Sequence, residues 1–358
     1  DAGAGLVSNG DTGEITADNS YGSARGVIVR SSAGGDASVD NAGNIVATAT
    51  GTGEYLSSDA IGVYIYAPGG LASVDNSGTI AASSATGLAD GVFAAGAVAD
   101  VYNSGSITAD GYTWGAGIEA QGDDATSVVN TGSIDASATA YAPADPEAGT
   151  DAVYGHAYGI YATGGDGGVV VDNQGSIAAT GPYATGVYAY DSGLGGVRID
   201  NSGDITATAA NGFATGVNAV TNVAYSDIAV VNADTGSITA TGMNGASGIV
   251  ALATGTGSSA SVDNAGDIYA GTSVYYSAAE GIVASADGDA SITNSGAITI
   301  GYGDYAYGGL ALAFAGDADV DNGGSVAVNG GLTAYGFVSN SQNGYSGVTN
   351  SGSITVDS

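Results

Sequence analysis

A segment of the form V-x-N-x-G-x-I recurs along the whole chain, and nothing else in the sequence limits its fold as severely. The copies run Val39–Ile45, Val74–Ile80, Val101–Ile107, Val128–Ile134, Val171–Ile177, Ile199–Ile205, Val262–Ile268, Ile292–Ile298, Val320–Val326 and Val348–Ile354. Two looser copies, Val7–Ile15 and Val230–Ile238, carry two extra residues between Asn and Gly, which brings the total to twelve. Most spacings between the asparagines are 27 to 35 residues, and only Asn130 to Asn173 is longer, at 43. A unit of that size buries too little apolar surface to offset the entropy of ordering it, so the units must stack and share one core.

Between successive asparagines lies a second motif, a glycine followed by Val, Ile or Leu, as in Gly26-Val27, Gly159-Ile160 and Gly309-Leu310. Each repeat therefore supplies three short strands. The fold expected is all-β: a parallel β-solenoid of about twelve rungs, one domain over residues 1–358, with its longest protruding loop at 135–158. At a strand separation of about 4.8 Å, such a rod would be on the order of 58 Å long.

Alternation along a strand points Ala37, Val39, Asn41, Gly43, Ile45 and Ala47 inward and the residues between them outward. Asparagine is the one polar residue in the inward phase. At a corner its amide can bond its own turn and the asparagine of the next rung, which predicts a ladder through Asn41, Asn76, Asn103, Asn130, Asn173, Asn201, Asn264, Asn294, Asn322 and Asn350, with Asn9 and Asn232 in the looser copies. The glycine that follows is expected to supply a positive φ at that corner.

Composition narrows the functional classes. Net charge is −33, there is no lysine, the three cations are Arg25, Arg30 and Arg198, and the single histidine is His156. Phosphate binding needs clustered Lys or Arg, so nucleic acid is not expected as a partner, and an anionic membrane surface would repel the chain. No apolar run is long enough to span a bilayer. Cysteine is absent, so no disulfide framework constrains the compartment. No signal peptide opens the sequence, and Asp1 reads as the start of a mature or trimmed chain.

Three groups of residues are candidates for a role. Asp40 with Asp75, and Asp172 with Asp200, fall outward on consecutive rungs; stacked carboxylates repel unless bridged, and Ca2+ accepts such oxygen ligands, the alternative being a solvated acidic face. No other cofactor is called for. The outward position of the glycine motif reads Ile28, Tyr64, Phe93, Glu119, Tyr161, Tyr188, Asn218, Val250, Val283, Ala311 and Val338. That apolar row marks an interface, with Tyr64, Phe93, Tyr161 and Tyr188 against loops, another copy of the chain or a sugar ring. The long excursion carries Pro143, Asp145, Pro146, Glu147, Asp151 and His156, but one imidazole is no metal site. With 36 acids no pair stands out for glycoside hydrolysis, so no enzymatic activity is expected.

The runs VDNSGTI, VYNSGSI and ITNSGAI at Val74, Val101 and Ile292 resemble the repeats of bacterial type V autotransporter passengers and filamentous-haemagglutinin-like adhesins, and the likeness extends from Val7 to Val356. The resemblance implies a secreted, right-handed β-helix on a bacterial cell surface, serving in adhesion, biofilm formation or as a stalk. Neither end has room for a cap, and twelve asparagine strands meet eleven glycine strands. Copies joined end to end by strand addition, as in a fibre, are the assembly this predicts, with a lone adhesin stalk or a carbohydrate-active β-helix as the alternatives.

Overall fold

The computed structural model describes residues 4–32, 34–51, 58–142, 153–274 and 277–357, and every regular element among them is a β-strand. The chain is a parallel β-solenoid. Each rung runs through an asparagine strand such as Ala37–Asn41, an isoleucine strand such as Asn44–Ala49 and a glycine strand such as Tyr183–Asp191. Twelve isoleucine strands form one sheet, from Glu14–Asn19 to Ser353–Asp357. The asparagine and glycine strands make up the other sheet. They are joined because Ala60–Asn76, Leu88–Asn103 and Trp114–Asn130 each run as one long strand through both faces, with a register break at the corner. In those three rungs the third corner is a bulge rather than a loop, a variation on the three short strands expected.

The predicted excursion at 135–158 is narrower than its expected bounds. Ser133–Ala138 is still an isoleucine strand, because Ile134, Ala136 and Ala138 alternate into the core, and His156–Gly164 is already the next glycine strand. Between them, Tyr141–Ala142 pairs antiparallel with Val153–Tyr154 at the base of the excursion. Pro143, Asp145, Pro146, Glu147 and Asp151 lie outside the described residues.

Register is kept from rung to rung by identical residues: Val39 pairs with Val74, Ile45 with Ile80, and Asn41 with Asn76. In the interior rungs the inward phase is closed to solvent; most of its Val, Ile and Ala side chains form one cluster from Val27 to Val328, and a second cluster of alanines runs from Ala24 to Ala109. Each fully buried Ile or Val of the three rows contributes about 1.5–3 kcal/mol, repeated rung after rung.

The glycines fill two different needs. In the glycine strands a Cβ at Gly186 would lie 2.3 Å from Cγ2 of Ile205 in the next rung and 2.6 Å from the Gly216 carbonyl oxygen. The isoleucine methyl occupies the space that the glycine leaves open, and the same pairing recurs at Gly62 with Ile80 and Gly159 with Ile177. The corner glycines overturn one expectation. Gly43, Gly78 and Gly105 do not have positive φ, which is confined to Gly34, Gly69, Gly168, Gly196 and Gly257 and to Tyr225 among the described residues. Their requirement is close backbone approach: a Cβ at Gly78 would meet the Gly43 carbonyl oxygen at 2.1 Å.

One rung shifts the motif by a residue. Gly309, not Leu310, pairs with Ile282, so Leu310 faces outward and Ala311 is buried, the reverse of the sequence expectation. The void left at Gly309 is taken by the Phe337 ring of the following rung, within 2.6 Å of the position a Cβ would occupy.

The asparagines form an unbroken ladder. Nδ2 of Asn9 donates to Oδ1 of Asn41 at 2.8 Å, Asn41 donates to Asn76 at 2.7 Å, and the series continues through Asn103, Asn130, Asn173, Asn201, Asn232, Asn264, Asn294 and Asn322 to Asn350. The two looser copies belong to it, since Asn9 and Asn232 keep their place while the extra residues bulge between Asn and Gly. Each interior amide is closed to water, so its hydrogen bonds replace those it gave up on folding.

Replacing Asn173 by Ala strands the Asn130 donor and the Asn201 acceptor, and is expected to cost about 1–3 kcal/mol for each group left unpaired, read by urea unfolding and by faster amide exchange in the two flanking rungs. Gly186→Ala drives a methyl into Ile205 and is expected to cost about 1–3 kcal/mol; a melting temperature equal to that of the unsubstituted chain would contradict the packing account.

Candidate functional site

The outer face of the glycine strands carries the densest chemistry of the rod. Strict alternation would turn Asp90 and Tyr158 inward. In the interior rungs, however, the glycine and the following residue are both buried, and the pairing register skips the glycine, so the residue before it is turned outward. Three outward columns result. The first carries Leu88, Trp114, His156, Tyr183 and Phe213; the second Asp90, Ala116, Tyr158 and Thr185; the third Tyr64, Phe93, Glu119, Tyr161, Tyr188 and Asn218.

Tyr64 stacks on Phe93 and Tyr161 on Tyr188, each pair with ring centroids 5.0 Å apart, and Glu119 separates the two pairs. The third column is half-buried rather than an open apolar stripe, because side chains of the neighbouring columns lean on it. Trp114 packs on Tyr158 at 4.6 Å and edge-on to Tyr161 at 5.5 Å, while Tyr158 also meets Tyr188 edge-on. His156 lies parallel to Tyr183 at 5.0 Å. The guanidinium groups of Arg25 and Arg30 lie 5.4 and 5.2 Å from the centre of the Tyr64 ring, a cation–π arrangement.

Beside Trp114 the surface opens into a depression of ≈ 390 Å³ lined by Asp59, Gly87, Leu88, Thr113, Trp114 and Glu119. Asp90 is not part of its lining; it lies buried in the second column, only 3% exposed, with Oδ1 closed to solvent and without a hydrogen-bond partner. Burial pushes the Asp90 carboxyl well above its usual range; the Glu119 and Asp59 carboxylates push it further, and the Trp114 side chain opposes them. Burial also raises Glu119, against a hydrogen bond from Gln121. The phenols follow the same logic: burial, with the neighbouring Tyr161 and Tyr188, pushes Tyr158 up to about 12, so it remains a proton donor throughout the neutral range. His156 is pushed down by burial and is therefore uncharged at neutral pH.

The four aspartates proposed for Ca2+ fall as two separate pairs. Asp40 pairs in register with Asp75, and Tyr102 ends that row. Asp172 pairs with Asp200 between Val129 and Val231. Arg198 grips Asp200 with two hydrogen bonds of 2.7 and 2.9 Å, and Gln174 donates to Asp172 at 2.9 Å. Among the described residues, no three acidic, imidazole or thiol side chains converge as the ligands of a metal ion would.

Another buried acid has a structural task. Asp191, fully buried at the end of its glycine strand, accepts from the Gly196 amide at 2.9 Å and from Ser226 Oγ at 2.6 Å, closing a corner across two rungs. Sequence reasoning passed over Asp90, Trp114 and Tyr158, although all three sit at fixed offsets before a row glycine.

No family model, curated protein or solved structure matches this chain. Among the described residues, no helix is long and apolar enough to cross a membrane.

Asp90 gives a test of the electrostatics. Its folded-state proton affinity exceeds the unfolded one, so the protonated carboxyl favours the fold below the ordinary carboxylate range, and that advantage is lost as pH rises through the raised folded value. Asp90→Asn is expected to stabilise the chain at neutral pH by about 1–3 kcal/mol, with the gain vanishing at a pH below the ordinary carboxylate range. Thermal melts of both proteins at the two pH values check this.

Proposed function

We propose that the chain is an extracellular structural and adhesive rod of a bacterial surface, acting through side-on contacts of its glycine-strand face rather than by catalysis. The observation that carries this reading is the aromatic surface of Trp114, Tyr158, Tyr161 and Tyr188, built in register on a rigid stack of strands. Rings fixed by their neighbours lose little entropy on contact and offer a large amphipathic area, the qualities of a recognition surface. The resemblance of the repeats to autotransporter passengers and filamentous-haemagglutinin-like adhesins points the same way and is the ground for the surface location.

Joining end to end is part of the same proposal. It draws on the parallel register, which a further rung of the same pattern extends with no new kind of contact. The net charge of −33 disfavours lateral contact at low ionic strength and favours it once salt screens the rods, over about 8 Å at physiological ionic strength.

Replacing Tyr161 and Tyr188 together by Ala is expected to reduce lateral bundling, seen by light scattering and negative-stain microscopy in physiological salt, while far-ultraviolet circular dichroism stays that of the parent rod. Bundling unchanged in the double variant would reject the face as the contact surface.

A further inference from the structure

The depression at Trp114 poses a problem that the rest of the rod does not. Two carboxylates, Asp59 and Glu119, line it, and both act on the buried Asp90 as negative charges. The chain holds no lysine, and its three arginines are engaged elsewhere. Arg25 and Arg30 lie over Tyr64, and Arg198 is locked to Asp200. The described chain thus provides the depression with no cation of its own.

Asp90 itself is closed off from this space. The three groups that act on its carboxyl, Asp59, Trp114 and Glu119, are three of the six residues lining the depression, and its Oδ1 is left without a partner beneath them. The neighbour of Asp90 in its column is Ala116, and Tyr158 follows it. One wall of the depression is the indole of Trp114, held from behind by Tyr158 and Tyr161.

We propose that this depression binds a guanidinium-type organic cation, with the planar head against the Trp114 ring and its N–H groups directed at Glu119 and Asp59, which the buried and unpaired Asp90 carboxyl underlies. A guanidinium has five N–H donors in a flat fork, stacks on aromatic faces and is less strongly hydrated than an ammonium, so it suits a desolvated site whose acids are spread too widely for one metal ion. The volume of ≈ 390 Å³ is ample for a guanidinium head and a short stem. The proposal does not depend on lateral assembly, since the residues that define it are Asp59 and Glu119 rather than the Tyr161 and Tyr188 pair.

Trp114 is the only tryptophan, which makes its fluorescence a reporter of this place alone. The intact chain is titrated with methylguanidinium chloride, with N-methylurea as the neutral isostere, and with sodium and calcium chloride at matched ionic strength. The expected result is a saturable fluorescence change with methylguanidinium only, weakened by about tenfold or more in Glu119→Gln and in Asp59→Asn. An arginine-containing peptide distinguishes the source: tighter binding than methylguanidinium points to an arginine side chain of a partner protein, and equal binding points to a free small cation. A change matched by N-methylurea or by the salts would overturn the proposal, as would full retention of binding in both variants or the absence of any saturable change. Circular dichroism of each variant verifies the fold, and if one fails to fold the other carries the test.

Discussion

Everything in this structure depends on equivalent residues lying directly above one another. A parallel stack with a constant register places each side chain against its own kind, so any residue type in the inward phase must be able to pack or bond with a copy of itself about 4.8 Å away. Isoleucine and valine do so by interlocking methyl groups, and asparagine does so because its amide carries a donor at one atom and an acceptor at the other. An inward aspartate row could not: ionised carboxylates have acceptors only and repel. This is the physical reason that the buried polar row is Asn41, Asn76, Asn103 and their equivalents, while Asp40 and Asp75 stand one residue earlier, facing solvent.

The same rule explains how much of the molecule could be read in advance. The solenoid, its three faces and the asparagine row are legible because period-two alternation and a repeated motif together leave few other arrangements. The corner glycines were read for the wrong reason, since a sequence shows that Gly78 is glycine but not whether φ or a carbonyl 2.1 Å from a would-be Cβ demands it. Leu310 and Ala311 were exchanged because two consecutive glycines, Gly308 and Gly309, leave the motif without a unique frame; the packing of Phe337 into the gap at Gly309 decides it. The candidate site was hidden by a local break in alternation: with the glycine and the next residue both facing in, Asp90 and Tyr158 turn outward against the simple count.

The acids divide by environment rather than by sequence context. Asp200 is compensated by a guanidinium two residues away on its own strand, and Asp191 by backbone amides and a hydroxyl. Asp90 has a buried oxygen with no such partner and two negative neighbours. A rod stabilised by many identical rungs can tolerate one locally unfavourable site, because each rung's stability is shared with those on either side. That tolerance allows a polar, strained patch to persist in the middle of an otherwise regular stack.

The direction of the asparagine ladder has a consequence of its own. In every rung the amide nitrogen faces the following rung and the oxygen faces the preceding one. Reversing a single amide would set nitrogen against nitrogen on one side and oxygen against oxygen on the other, so one flipped unit creates two faults. The eleven bonds therefore hold a common orientation, much as a row of magnets does, and a rung added by the same rule inherits its sense from the rung before. The rod is vectorial: its two ends differ in hydrogen-bonding sense even where their sequences are alike, and two such ladders can continue one another head to tail but not head to head.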